Sequence, residues 1–324
     1  VTSTTGWAPD PVLGVGWSVR TFDFGHDGDG PLVATLVRYD AGAHHGRALV
    51  HVHGFNDHFF HRHLAEALGG RGWATYGLDL RRCGRSRAPA QPAHNTVDLA
   101  EYDADLDAAV GALRADEGHE AVVVEAHSTG GLIAPLWLDR RRGRSGVDAL
   151  VLNSPWFDLA GPARRRLLAD VAGASVGRLR PLAPLPTPKI DAYGASIHAS
   201  RRGEWDFDLD LKPLLSPIRA GWLGAVRRGQ RRLRRGLEVD VPVLVLRSDR
   251  SLEPTAEWHD DYRSADTVLD VRHMSRHAGR VGPRVTVEVV PGALHDVLLS
   301  APPVRAGAID VMVGWLDRVV PVAA

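Results

Sequence analysis

Apolar runs and helical periods alternate along this chain. Val15–Phe24 and Leu32–Asp40 alternate as strands do, and the turn-rich GHDGDGP between them suits a hairpin. Arg47–His53, Trp73–Leu80, Ala121–Ala126, Val147–Leu152, Val241–Leu246 and Val285–Val290 are short apolar runs, as expected of strands buried on both faces. Helical segments separate them: His61–Leu68, Thr96–Arg114, the stretch from Leu132, Val268–Arg280 and Ala308–Val320. In Thr96–Arg114 the apolar stripe is Val97, Leu99, Leu106, Val110 and Leu113. The alternation predicts an α/β fold, with a mostly parallel central sheet and helices on both faces.

The pattern lapses between Trp156 and Glu238. That segment is rich in Pro, Arg and Trp, and PLAPLPTPKI excludes regular helix and central strand. It reads as a cap inserted over the sheet. The expected organisation is a core over residues 1–155, a cap over 156–238 and the rest of the core over 239–324. Such a chain can bury a sizeable core. Lys+Arg 39 balances Asp+Glu 39, so no basic field argues for nucleic acid. Lys189 and Lys212 are the only lysines. Cys83 is the only cysteine, so packing rather than an intrachain disulfide must hold the fold. No leader-like apolar segment or membrane-length run is present, and a cytoplasmic location is expected.

The chemistry centres on Ala121–Leu132, AVVVEAHSTGGL. A buried strand ends in Ala126-His127-Ser128-Thr129-Gly130-Gly131, and a helix follows. Small-x-Ser-x-Gly between strand and helix is the pattern of a nucleophile elbow. The turn is tight, so the flanking Ala126 and Gly130 must be small. It lifts Ser128 to the start of a helix, whose N–H groups suit a developing oxyanion. A serine nucleophile needs a base oriented by a carboxylate, in the chain order Ser, acid, His. His295, in PGALHD after the last strand, is the expected base. Asp249, after strand Val241–Leu246, and Asp266, before the next helix, both stand where the acid should be. Thr129 and Phe55 are the expected oxyanion donors. Gly54 lets the backbone approach, and Asn56 and His127 are expected to contact substrate.

VHGFNDH, LDLRRCGRS, EAHSTGG and the PGALHD ending together resemble an α/β-hydrolase. The nearest branch is the monoacylglycerol lipase, lysophospholipase and serine aminopeptidase group. In that family an Asp-x-Val segment carries the acid, and Asp266-Thr267-Val268 matches it; the resemblance therefore implies Asp266, with Asp249 in reserve. The usual oxyanion loop reads His-Gly-x-Gly-Glu-His, whereas here it is His53-Gly54-Phe55-Asn56-Asp57-His58. Cys83 falls in the usual Arg-Gly-His-Gly loop and is read as a packed thiol.

The implied activity is hydrolysis of small or medium apolar carboxylic esters, monoacylglycerols and lysophospholipids among them, with no cofactor and no metal. The same triad also serves thioesterases, peptidases and C–C bond hydrolases, and a non-catalytic receptor is a further alternative. In the cap, Trp156, Phe157, Trp205, Phe207, Trp222 and Leu223 either line an acyl pocket or form the cap's own core; Trp156 and Trp205 are assigned to substrate contact. His44, His45, His51, His53, His58, His61 and His63 cluster in sequence but match no zinc spacing. The arginine run from Arg227 to Arg235 reads as a solvated helix face rather than an anion-binding surface.

Overall fold

The computed structural model describes residues 1, 3–42, 46–161, 163–186 and 191–320. Ten strands form one sheet among them: β1 (Ser3–Thr4), β2 (Ala8–Asp10), β3 (Gly14–Asp27), β4 (Gly30–Tyr39), β5 (Arg47–Val52), β6 (Trp73–Asp79), β7 (Ala121–His127), β8 (Ala149–Asn153), β9 (Val243–Ser248) and β10 (Val285–Val290). Their order is β1-β3-β4-β6-β5-β7-β8-β9-β10, with β2 beside β3. The six strands from β5 to β10 are mutually parallel, and the N-terminal strands add an antiparallel edge. The helices are α1 (Arg62–Gly69), α2 (Asp103–Ala115), α3 (Gly130–Arg141), α4 (Ala163–Leu179), α5 (Ala192–Ile197), α6 (Ala220–Arg235), α7 (Val271–Ala278) and α8 (Pro302–Val319).

The strand period explains both layers. Ala48, Val50 and Val52 of β5 and Val122 and Val124 of β7 face one way, onto Leu106, Val110 and Leu113 of α2 and onto α3. Leu49 and Val123 face the other way, onto Leu64 and Leu68 of α1 and onto Ile309, Met312 and Leu316 of α8. A side chain taken fully from water in this way contributes about 1.5–3 kcal/mol.

Four parts of the chain differ from the sequence expectation; one is the last helix, expected from Ala308, which starts as α8 at Pro302 because proline suits a first helical turn. The helix expected from Thr96 starts as α2 at Asp103, because Asp98 caps a short 3₁₀ turn over Leu99–Tyr102 by accepting from the Ala100 N–H; Val97 is left exposed. The helix expected from Val268 starts as α7 at Val271, because the Asp266 carboxylate takes the N–H groups of Val268 and Leu269 and Asp270 caps the helix. The chain before β3 forms two short strands that the period did not reveal.

The described part of 156–238 adds no strand to the sheet and carries α4, α5 and α6. Here small residues do the packing. A Cβ on Gly173 of α4 would lie 2.6 Å from the Gly224 Cα of α6, and one on Gly177 would lie 2.7 Å from the Ala220 carbonyl oxygen. The two helices therefore cross at backbone distance.

Candidate active site

β7 stops at His127 and α3 begins at Gly130, so Ser128 occupies the turn between them. Its φ is +53°, a left-handed conformation that is strained for a residue with a Cβ. The surroundings enforce it. A Cβ on Gly130 would come within 2.6 Å of the Val52 and His53 carbonyl oxygens, and one on Gly131 within 2.8 Å of Pro155. Only glycine lets α3 press against the end of β5 here. The Ser128 N–H donates to the Asn153 carbonyl (3.0 Å), and its own carbonyl accepts from Trp156 N–H (3.0 Å).

The loop after β10 carries His295, whose Nε2 lies 3.0 Å from Ser128 Oγ. Its Nδ1 lies 3.0 Å from Asp266 Oδ2. The other Asp266 oxygen accepts the Val268 and Leu269 N–H groups, each at 2.8 Å, which fixes the carboxylate. All three side chains are buried, with Ser128 the most accessible at 8%. Asp249 is exposed and stands apart: its carboxylate accepts the Gly292 N–H (2.9 Å) and steadies the turn after β10.

The loop after β5 faces the serine. A Cβ on Gly54 would touch Ser128 Cβ at 3.0 Å, so the close approach requires glycine. His53 clamps this loop from below: Nδ1–H donates to the Gly54 carbonyl (2.7 Å), and Nε2 accepts from Leu80 N–H (3.1 Å). The Phe55 and Thr129 N–H groups donate to no other group among the described residues.

A family model described as serine aminopeptidase, S33, matches residues 43–301. The chain belongs to this family. Its fold is that of solved hydrolases. A soluble variant of Saccharomyces cerevisiae monoglyceride lipase, solved with a substrate analogue, aligns at TM-score 0.68 and 16% identity over 92% of this chain and 94% of that one. A Paleococcus ferrophilus monoacylglycerol lipase aligns at TM-score 0.61 and 20% identity over 92% and 98%. A thermostable Bacillus coagulans carboxyl esterase, solved with glycerol, aligns at 0.67 and 14% over 93% and 98%. The α/β-hydrolase fold expected from the motifs is therefore the observed one.

In this family member the residues assigned to substrate contact take varied positions. Asn56 has φ +56° and donates its side-chain amide to the Pro213 carbonyl, tying the loop after β5 to the 156–238 segment. His127 is buried behind His295, with ring centroids 4.8 Å apart, and both its nitrogens lack a hydrogen-bond partner among the described residues. Burial pushes it down to about 3, so it is a neutral filler at pH 7. Trp156 is partly buried against Trp222 (5.7 Å). Trp205 departs from its expected role: its N–H donates to the Leu299 carbonyl (2.8 Å), and its ring lies against His63 and Arg305. These contacts dock 156–238 onto the sheet domain. The arginine run departs in part: Arg228 and Arg235 are exposed, but Arg227 is buried between Asp158 and Asp170.

Sequence reasoning missed three groups. Lys212 reaches in from the 156–238 segment to Asp57, at 2.6 Å, inside a ring of Phe60, Tyr193 and Phe207. Burial alone would raise the Asp57 carboxyl; the charge of Lys212 holds it well below the usual range. Tyr193 of α5 meets the His295 ring edge-on at 5.2 Å, and its hydroxyl is buried without a partner among the described residues. Asp296 accepts from Asn153 Nδ2 (2.7 Å) and Leu298 N–H (3.0 Å) and pairs with His61 (3.0 Å), locking the loop that carries His295. The rarity of lysine was the one hint of Lys212.

Of the clustered histidines, His51, His61 and His63 keep their rings in contact but take separate hydrogen-bond partners. His51 pairs with Glu125, His61 with Asp296, and His63 with the Leu298 carbonyl. Among the described residues no group of three or more His, Cys, Asp or Glu side chains gathers to hold a metal. His44 and His45 lie outside the described residues. The Cys83 thiol is buried 3.2 Å from His94 Nδ1 and pushed up by burial, so it is no nucleophile. No helix among the described residues is long and apolar enough to cross a membrane.

Proposed function

We propose that this chain is a serine hydrolase that cleaves carboxylic esters through Ser128, His295 and Asp266. The observation that carries the reading is the pair of 3.0 Å contacts that His295 makes, one to Ser128 Oγ and one to Asp266, with the serine on a strained turn. As Ser128 Oγ bonds to the ester carbonyl carbon, its proton passes to His295 Nε2. Asp266, on the other ring nitrogen, orients the imidazole and stabilises its charged form. The N–H groups of Phe55 and Thr129 receive the oxyanion. The C–O bond then breaks, and the alcohol leaves with the proton from His295. Water, deprotonated by the same base, cleaves the acyl-enzyme and restores Ser128.

Residues 156–238 act as a cap over the reacting atoms: Tyr193 meets His295, Trp222 lies 4.2 Å from the Phe55 ring, and Asn56 and Asp57 are tied to Pro213 and Lys212. The lipase and esterase names of the fold neighbours favour an ester over an amide.

The test is hydrolysis of p-nitrophenyl esters from acetate to long acyl chains, with Ser128→Ala alongside. Turnover by the parent and a loss of several orders of magnitude in the variant are expected. Fluorophosphonate labelling without ester turnover would leave the nucleophile and overturn the substrate class. No labelling of folded protein would favour the receptor reading.

A further inference from the structure

Buried arginines in this chain have acidic partners. Arg81 pairs with Asp105, Arg85 with Asp10 and Asp79, and Arg227 with Asp158 and Asp170. Arg87 and Arg219 break the rule. Each is partly buried, and neither has a carboxylate within 4.0 Å among the described residues. Arg87 is held by one hydrogen bond to the Asp210 carbonyl (3.1 Å), and Arg219 by one to the Leu182 carbonyl (2.9 Å). The Arg219 Nε is buried with no partner at all among the described residues. A guanidinium taken from water without a counter-ion is costly, and its planar fork matches a carboxylate or phosphate.

Both arginines line one cavity of about 450 Å³ between the loop after β6 and the segment that leads into α6. Arg82 lines it too but is paired with Asp27 and Glu101, and among the described residues no Asp or Glu lines it. Its other polar groups supply no negative charge either. His94 is pushed down to about 3 by burial and is neutral; Cys83 is held as the thiol. The cavity borders the loop after β5 that faces Ser128. Asn56, which lines it, is the residue after Phe55, and the Phe55 ring lies 4.7 Å from that of His94.

We propose that this cavity is an anion subsite, in which Arg87 and Arg219 hold a carboxylate or phosphate at one end of the substrate. Resting on the ester-hydrolase reading above, this makes the substrate an ester that bears a second, negatively charged group. Arg87 comes from the sheet domain and Arg219 from the cap, so the anion also bridges the two.

Calorimetric titration of Ser128→Ala protein reads the site without turnover. The probes are monomethyl suberate against dimethyl suberate, and butyl phosphate against butanol. At least one anion is expected to bind about tenfold tighter than its neutral partner, and Arg87→Gln or Arg219→Gln to remove that margin. Arg219→Lys, which keeps the charge, should restore part of it, and thermal melting separates lost binding from lost folding. Which anion binds distinguishes a carboxylate from a phosphate. If neither binds better than its neutral partner, or if both Gln variants bind as the parent does, the proposal is overturned. Mono-p-nitrophenyl esters of dicarboxylic acids, from succinic to sebacic, are then compared with their methyl-capped forms. A kcat/KM preference for a charged ester that disappears in Arg219→Gln supports the subsite as part of substrate recognition. Arginine-dependent anion binding with no turnover of any ester supports the subsite and overturns the ester reading alone.

Discussion

In β7 the side chains of Val122, Val123 and Val124 are fully buried on the two faces of the sheet, whereas in α6 a fully buried long side chain is that of Arg227. The sheet domain is held by non-directional apolar packing, and its pattern is local in sequence. Residues 156–238 also pack apolar side chains, Trp222, Val226 and Leu233 on one side and Phe207 against Phe60 on the other, but they add directed polar contacts between residues far apart. Arg227 and Arg234 both reach Asp158, Arg232 reaches Asp139, and Lys212 reaches Asp57. Apolar packing tolerates small errors in position and so carries the backbone that strains Ser128. Buried ion pairs demand their own partner, which suits a segment that must sit on the core in one register. Ser128, the proposed nucleophile, therefore sits on the sheet side, and Tyr193 and Trp222 reach its neighbours His295 and Phe55 from residues 156–238.

The largest effect should separate the two candidate acids on the sheet side. Asp266→Asn is expected to lower kcat/KM on the best ester about 10⁴-fold, as loss of the orienting carboxylate does in a serine triad. Asp249→Asn, which only loosens the turn at Gly292, should stay within about threefold. The reverse order would move the acid. Next comes the seam between sheet and cap. Lys212→Met leaves Asp57 buried and unpaired, and should cost about 3–5 kcal/mol in urea unfolding. Adding Asp57→Asn should recover most of that loss, because the stranded charge goes with it. Two additive losses would show that Lys212 is not the partner that matters.

Acid should come third, acting on the sheet side of the seam. Burial pushes His94 and His127 down to about 3 and His58 down to about 4, from an ordinary value of 6.5. The unfolded chain then takes up protons that the folded one refuses as pH falls below 6.5. Stability should be full above that value and decline toward pH 4, on the order of 2 kcal/mol for each histidine. His51 has the opposite sign: burial opposes its charge, but Glu125 holds it up, so its contribution persists in acid and is lost as pH rises. Asp57 and Asp296, both lowered, add losses only below the ordinary carboxylate value of 3.8. Urea titrations from pH 7 to pH 4 check the slope, which His127→Gln should flatten; a flat profile in the parent would contradict neutral buried histidines. The smallest effect is expected on the outer face of the cap. Arg231 is 39% exposed and shares Asp170 with Arg227, so Arg231→Ala should cost less than about 1 kcal/mol.

Much of the sheet domain was legible because strand and helix periods are local. The runs RALVHVH, AVVVEAH and VTVEVV became β5, β7 and β10 with small changes at their ends. Helix starts were less legible, since Asp98 and Asp266 redirect the backbone through their side chains rather than through any period. Ser128 and His295 could be picked out because a tight turn between strand and helix, and a loop after the last strand, each leave a mark in the sequence. Asp249 and Asp266 both follow β9, and the residues by themselves left the choice between them open.

The sequence by itself determined the alternation that builds a parallel sheet, the small residues that force the turn at Ser128 and the chain order of Ser128, the two candidate aspartates and His295. Those features depend on backbone geometry and burial within short stretches. The tertiary structure decided which aspartate faces His295, that Trp205 docks the cap, that Arg227 is buried rather than solvated, and that Lys212 neutralises Asp57. It also left Arg87 and Arg219 facing one cavity with no acid among the described residues that line it. Each of these rests on a charge or hydrogen bond meeting a partner remote in sequence, and such a meeting exists only once the chain has folded.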